Sequence, residues 1–320
     1  MRLAARAVGA ILAAAALCAG LLACGTTTAA ADEPPHLFFD CRGPVTERPT
    51  VILEAGVFGT SADWDNILRD YGATGRICAY DRAGLGASAR VGGAHNAMDN
   101  ARTLARQLDE MGETRPVILV GHSNGGLYVQ AFATLYPDRV AGLVYVNAVG
   151  VDDLDAPLLI RSLRQEADLG RFAVVAGRLH VTGLALSPAI LALELDAAAA
   201  GRKRRALTSL RHLTNGSAEA AVLVEDLSVI RAAGAVPAGI PVVAIVSMPL
   251  RRTGIDDAWR KAEAAPVRRA CQGWILTVKG GDHVSPLARD RAYILEALAW
   301  LATPGLADPA NPCTDKAYKE

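Results

Sequence analysis

The chain has 320 residues, 51% of them hydrophobic, with 33 basic and 33 acidic side chains. That length supports a large buried core in one elaborated domain and excludes a binding peptide or a disordered scaffold. No basic excess exists to attract nucleic acid, and without Arg2 and Arg6 of the leader the balance is 31 basic to 33 acidic.

Arg2 and Arg6 precede an apolar, Ala-rich run from Val8 to Leu22, the layout of an export signal. Leu21-Leu22-Ala23-Cys24-Gly25 then resembles a bacterial lipobox, which makes Cys24 the candidate lipid anchor and residues 1–24 the leader. Cleavage near Ala29-Ala30-Ala31 and an uncleaved single span are the alternatives. Residues 25–35 are small, polar and Pro-terminated, as a tether is. The expected product is exported, either a cell-envelope lipoprotein held to a membrane by its lipid or a secreted protein. Cys18 leaves with the leader, so Cys41, Cys78, Cys271 and Cys313 remain, and four cysteines allow three pairings. Cys41 with Cys78 and Cys271 with Cys313 is the preferred pairing in an oxidising compartment, with buried free thiols as the alternative. A metal site is not expected, because the four form no Cys-Xaa-Xaa-Cys pair and no histidine cluster accompanies them.

From residue 36 onward, strand-like apolar runs fall at His36 to Cys41, Thr50 to Leu53, Ile77 to Tyr80, Val117 to Val120, Ala141 to Val146, Pro241 to Val246 and Trp274 to Val278. Apolar residues at three- and four-residue spacing predict helices at Trp64 to Tyr71, Met98 to Met111, Gly126 to Tyr136 and Arg289 to Leu301. Strands alternating with helices predict an α/β fold on a mostly parallel sheet. Residues 151–236 break the alternation: rich in Leu, Ala and Arg, they read as amphipathic helices inserted between core segments 36–150 and 237–320. Within them Arg202-Lys203-Arg204-Arg205 could meet anionic lipid, but reads first as a solvated helix face.

Val117-Ile118-Leu119-Val120-Gly121-His122-Ser123-Asn124-Gly125-Gly126 carries the chemistry. A β-branched run ends in Gly-Xaa-Ser-Xaa-Gly and turns into an apolar helix, the layout of a nucleophile elbow with Ser123 as nucleophile. A Gly-rich βα loop with a surface serine would show the same five letters, and the flanking strand and helix argue against it. Three more motifs accompany the elbow: Val51-Ile52-Leu53-Glu54-Ala55-Gly56-Val57-Phe58-Gly59, Tyr80-Asp81-Arg82-Ala83-Gly84-Leu85-Gly86-Ala87-Ser88, and Trp274-Ile275-Leu276-Thr277-Val278 with Gly280-Gly281-Asp282-His283 soon after. With these four motifs the chain resembles the α/β-hydrolase superfamily, of the serine esterase and lipase kind, over essentially its whole length after the leader.

The resemblance implies an α/β-hydrolase fold with 151–236 as a helical cap. It implies an oxyanion hole from the backbone N–H groups of Val57 and Asn124, although Ala55-Gly56 stands where His-Gly is usual. Asp81 and Arg82 would organise neighbouring loops, and His283, in the Gly-rich loop after the last strong strand, would be the base. His36, His95, His180 and His212 lack that context, and His122 is expected to pack. The acid is the open position. Asn147 stands at one expected carboxylate position after its strand, so Asp152 is favoured, with Asp153 close behind. Asp256 and Asp257, after the next strand, are the alternative, and an Asn- or water-assisted dyad is the third.

The expected function is hydrolysis of a small or medium carboxylic ester or similar acyl compound, with no metal or organic cofactor implied. Ser123 argues against the carboxylate nucleophile of haloalkane dehalogenases and epoxide hydrolases. The rivals are a lyase or cofactor-free peroxidase on the same triad, and a non-catalytic binding protein at the cell surface.

Overall fold

Aliphatic and β-branched runs build the sheet: β1 (Phe38–Arg42), β2 (Val51–Glu54), β3 (Ile77–Asp81), β4 (Val117–His122), β5 (Val140–Val146), β6 (Val242–Met248), β7 (Gln272–Lys279) and β8 (Ala317–Lys319). The computed structural model describes residues 36–89, 96–148, 150–151, 157–182, 187–250, 254–303, 305–306, 313 and 317–319. The leader, Cys24, the tether, Asp152 and Asp153 lie outside the described residues.

The strands lie in the order β1-β3-β2-β4-β5-β6-β7-β8, and only the β1–β3 pairing is antiparallel. Every residue of β2, β3 and β4 is buried. A parallel sheet covered on both faces reads as a continuous apolar run, which is the pattern these strands show in the sequence. Alternate residues serve opposite faces. Ile52, Leu119, Leu143 and Ala244 belong to one core, and Val51, Ile118, Val144 and Ile245 to the other.

The helices are α1 (Asp65–Tyr71), α2 (Ala97–Glu110), α3 (Gly125–Leu135), α4 (Pro157–Arg178), α5 (Ser187–Ala192), α6 (Ala197–Thr208), α7 (Leu210–Ala233), α8 (Gly254–Glu263), α9 (Ala265–Arg269) and α10 (Ala292–Leu301). Leu104 and Leu108 of α2, Leu127 and Phe132 of α3 and Leu223 and Leu227 of α7 fill the first core. Ile67 and Leu68 of α1 with Ile294 and Leu298 of α10 fill the second. The segment between β5 and β6 contributes α4 to α7 and, among its described residues, no strand.

Cys41 and Cys78 face each other in the β1–β3 register and are bonded, and Cys271 is bonded to Cys313. Such crosslinks stabilise chiefly by restricting the unfolded chain. The second bond joins the residue before β7 to the chain ahead of β8, which adds to β7 as an edge strand.

Candidate active site

The loops that follow β2, β4, β5, β6 and β7 all leave the C-terminal ends of parallel strands, where open α/β sheets form their clefts. At the end of β4 the backbone of Ser123 has φ +55°, a left-handed conformation that costs a non-glycine residue on the order of 1–2 kcal/mol. Neighbouring glycines make room for it. A Cβ on Gly121 would lie 2.6 Å from the Gly125 backbone, and one on Gly125 would lie 2.5 Å from the Glu54 carbonyl oxygen. A Cβ on Gly56 would reach the Ser123 side chain at 3.0 Å. The Ser123 N–H donates to the Val146 carbonyl at 3.1 Å, and the Gly126 N–H donates to the Ser123 carbonyl at 3.1 Å as α3 begins. The turn is thus fixed by its backbone, and the hydroxyl is left to the cleft.

β7 ends in a turn that presents His283. The Asp282 carboxylate accepts the N–H groups of Val284 and Ser285 at 3.1 and 2.8 Å and meets Arg289 at 3.1 Å, which together hold its pKa below the ordinary carboxylate value against a burial effect of opposite sign. Two side chains hold the His283 carbonyl oxygen: Asn147 Nδ2 at 3.0 Å and His122 Nε2 at 2.9 Å. Asn147, itself at φ +43°, also donates to the Asp282 carbonyl and to Ser247 Oγ, and its Oδ1 accepts the Ser247 N–H at 2.7 Å. Its amide is therefore engaged in clamping the ends of β6 and β7, and an Asn147-assisted dyad is corrected to a backbone clamp. His122 is buried and donates through Nε2, so its Nδ1 is the unprotonated nitrogen of a neutral ring. Burial, and then the neighbouring His283, push its pKa down to about 3.

Ser123 and His283 share the walls of two adjoining cavities, one of about 420 Å³ and one of about 290 Å³. Burial lowers the His283 pKa from its ordinary value, with Asp282 acting in the opposite direction. Among the described residues no carboxylate hydrogen-bonds the His283 ring. Asp257 is exposed, and the Asp256 side chain, like all of Asp152 and Asp153, lies outside what is described. The larger cavity is lined by two carboxyl groups the sequence did not single out, Glu166 of α4 and Glu263 of α8. Burial raises both, Glu263 to about 8, while a hydrogen bond from the Asn124 amide opposes the rise at Glu166.

The smaller cavity holds the loop after β2. Among the described residues neither the Val57 nor the Asn124 N–H has an acceptor, so both are available to an anion beside Ser123. The loop carrying Val57 is held from beneath by Arg82, whose buried guanidinium donates to the carbonyls of Ala55 at 2.7 Å and Gly56 at 3.0 Å while pairing with Glu54 at 2.6 Å and Glu219 of α7 at 2.8 Å. Asp81 accepts the Ser61 and Ala87 N–H groups. Both residues organise loops, as their motif implied. From above, Phe58, at φ +54°, is keyed into the inserted helices: Lys203 Nζ donates to its carbonyl at 3.0 Å and to Asp63 at 2.8 Å. Lys203 is 7% exposed, so the solvated reading of the Arg202–Arg205 run fails at that residue. The run's charge pattern hid this because the partner, Asp63, is far away in sequence.

Phe58 also depends on a glycine, since a Cβ on Gly216 of α7 would lie 2.4 Å from its ring. Gly216→Ala must push that ring, and with it the adjoining Val57 N–H. The expected result is a fall in kcat of about tenfold to a hundredfold with KM changed less than threefold, since an oxyanion donor acts mainly in the transition state. Steady-state kinetics on a soluble ester checks it, and an unchanged kcat would break the link between this helix and the loop.

Known proteins share the family pattern and the fold of this chain. The family model described as serine aminopeptidase, S33, matches residues 47–215, more than half of the chain. A Gibberella zeae protein described as an AB hydrolase superfamily protein is 32% identical over 37% of this chain and 39% of its own length. The 2-hydroxy-6-oxo-2,4-heptadienoate hydrolase of Pseudomonas putida is 35% identical over 34% of this chain and 42% of its own. The chain thus spans about half or less of the curated relatives it matches. Solved folds align over greater lengths: a thermophilic esterase from Thermogutta terrifontis with TM-score 0.61 at 20% identity, covering 87% of this chain and 98% of that one, and the epoxide hydrolase CorEH with TM-score 0.64 at 19%, covering 84% and 95%. The sheet order, the strained serine at the end of β4 and the family match converge on one assignment, and the chain belongs to the α/β hydrolases.

Proposed function

We propose that this α/β hydrolase is an exported serine hydrolase that cleaves a carboxylic ester or similar acyl compound through an acyl-enzyme on Ser123. The observation that carries the reading is Ser123 at φ +55° on the turn after β4, with His283 on the same cavity walls and, beside it, the Val57 and Asn124 N–H groups without an acceptor among the described residues. In this reading Ser123 Oγ attacks the carbonyl carbon while His283 takes its proton, and the two N–H groups hold the oxyanion. Collapse of the tetrahedral adduct breaks the bond to the alcohol, which leaves with the proton from His283. Water then attacks the acyl-enzyme with His283 again as base and releases the acid. Asp152, after β5, is proposed to orient His283. The cap is proposed at 151–236, and the leader at 1–24 is proposed to leave Cys24 lipidated, so that residues 25–35 tether the hydrolase to a membrane.

The pH profile tests the assignment of the base. His283 must be neutral to accept the proton, and burial lowers its pKa, so kcat/KM rises with pH through a midpoint below the ordinary imidazole value of about 6.5. Measured on a panel of nitrophenyl esters of increasing chain length, an acid limb centred well above 6.5 would contradict His283 as a buried base with a lowered pKa, and no turnover on any ester would contradict the substrate class.

A further inference from the structure

Helix α4 is apolar on two sides. Its inner side is seated on α7 by glycines: a Cβ on Gly177 would lie 2.5 Å from the Leu213 side chain, and one on Gly170 would lie 3.2 Å from Ser217. That close fit fixes the rotation of the helix about its axis. The outer side therefore keeps Leu169, Phe172, Val175 and Leu179 in solvent, at 64%, 68%, 52% and 67% exposure. Their spacing of three, three and four residues puts them in one row along the helix. Arg164, Arg171 and Arg178, all exposed and seven residues apart, form a second row along its flank. Among the described residues one acid stands on this face, Asp168, four residues before Phe172; it pairs with Arg171 at 2.6 Å with both side chains open to water, a contact of little net strength that a phosphate can replace. An apolar row containing Phe and Leu beside a row of arginines is the pattern of a helix that lies in a lipid–water interface. Leu169 also lines the smaller cavity with Ser123 and His283, so the row begins at the site itself.

We propose that the outer face of α4 docks on a phospholipid bilayer bearing anionic headgroups, with Phe172, Val175 and Leu179 entering the acyl boundary and Arg164, Arg171 and Arg178 meeting phosphates. Docking places the cavity opening against the membrane, so that esters dissolved in the bilayer reach Ser123 without crossing water. A tether of residues 25–35 on a lipidated Cys24 would keep the domain within reach of such a surface.

The test uses the full chain with Phe172→Trp and, as a control, Val45→Trp, which replaces a residue 64% exposed in the loop after β1. Vesicles of equal parts phosphatidylcholine and phosphatidylglycerol carry brominated acyl chains, which quench tryptophan on contact. Docking predicts a blue shift and added quenching for Phe172→Trp, reversed when phosphatidylglycerol is omitted, with Val45→Trp unaffected. Equal quenching at both positions would overturn it. So would a Phe172→Trp protein insensitive to lipid because a second copy of the chain, detected by light scattering, or its own Val8–Leu22 segment already covers the row. A second arm, which rests on the esterase reading, uses Phe172→Asp with Leu179→Asp. Turnover of a long-chain ester held in these vesicles should fall by on the order of tenfold or more, with turnover of a soluble short-chain ester unchanged. Equal turnover of the vesicle ester by both proteins contradicts docking, whereas inactivity of the parent protein on both esters contradicts the esterase reading and leaves the quenching arm to decide.

Discussion

Ser123→Ala is expected to lower kcat on a short nitrophenyl ester by about a thousandfold or more while the protein stays folded, because in the proposed mechanism the hydroxyl oxygen forms and breaks the acyl bond. The backbone around it explains why the fold survives. The Ser123 N–H bond to Val146 and the tight contacts at Gly121 and Gly125 do not involve the side chain. A companion substitution separates chemistry from strain. Ser123→Gly should be as inactive as the alanine variant yet more stable by about 1 kcal/mol, since glycine adopts φ +55° without the penalty serine bears. Thermal melts beside the kinetics check both. Residual activity above about one-hundredth of the parent would remove Ser123 from the chemistry.

The second large effect concerns the acid. Asp152→Asn should lower kcat by on the order of a thousandfold with KM little changed, because a carboxylate that holds the imidazole tautomer acts on the chemical step and not on binding. Asp256→Asn should have a small effect, and Glu263→Gln should alter KM more than kcat, since Glu263 lines the cavity away from any bond to His283. A large loss at Asp256 in place of Asp152 would move the acid to the loop after β6. Loss at neither would leave a Ser123–His283 dyad, with Asn147 already engaged by backbone carbonyls.

Much of the framework was legible because local pattern and tertiary role coincide. Strands β2 to β7 are apolar runs that serve two cores at once, and the elbow, the loop after β2 and the His283 loop follow such runs directly. Cys41 lies in β1 and Cys78 in β3, each within a strand-like run, and they face each other in the sheet. The features that escaped are those whose environment comes from distant sequence. β8 is three residues on the edge beside β7, with no apolar run to announce it. Lys203 looks like part of a solvated basic run until α6 brings it to Asp63 and Phe58. Glu166 and Glu263 look like ordinary surface acids until α4 and α8 face them into the cavity of Ser123. The glycine at 216 has no turn to form, and only the Phe58 ring pressed against it explains its size.

A fluorophosphonate probe reports directly on whether Ser123 is an activated nucleophile, because only a serine hydroxyl activated by a base and an oxyanion hole attacks phosphorus quickly. A single adduct is expected, located by peptide mass spectrometry on Ser123 and formed at least about a hundredfold more slowly in His283→Ala. No adduct, or an adduct on Ser162 or Ser247 of the same cavity, would contradict it.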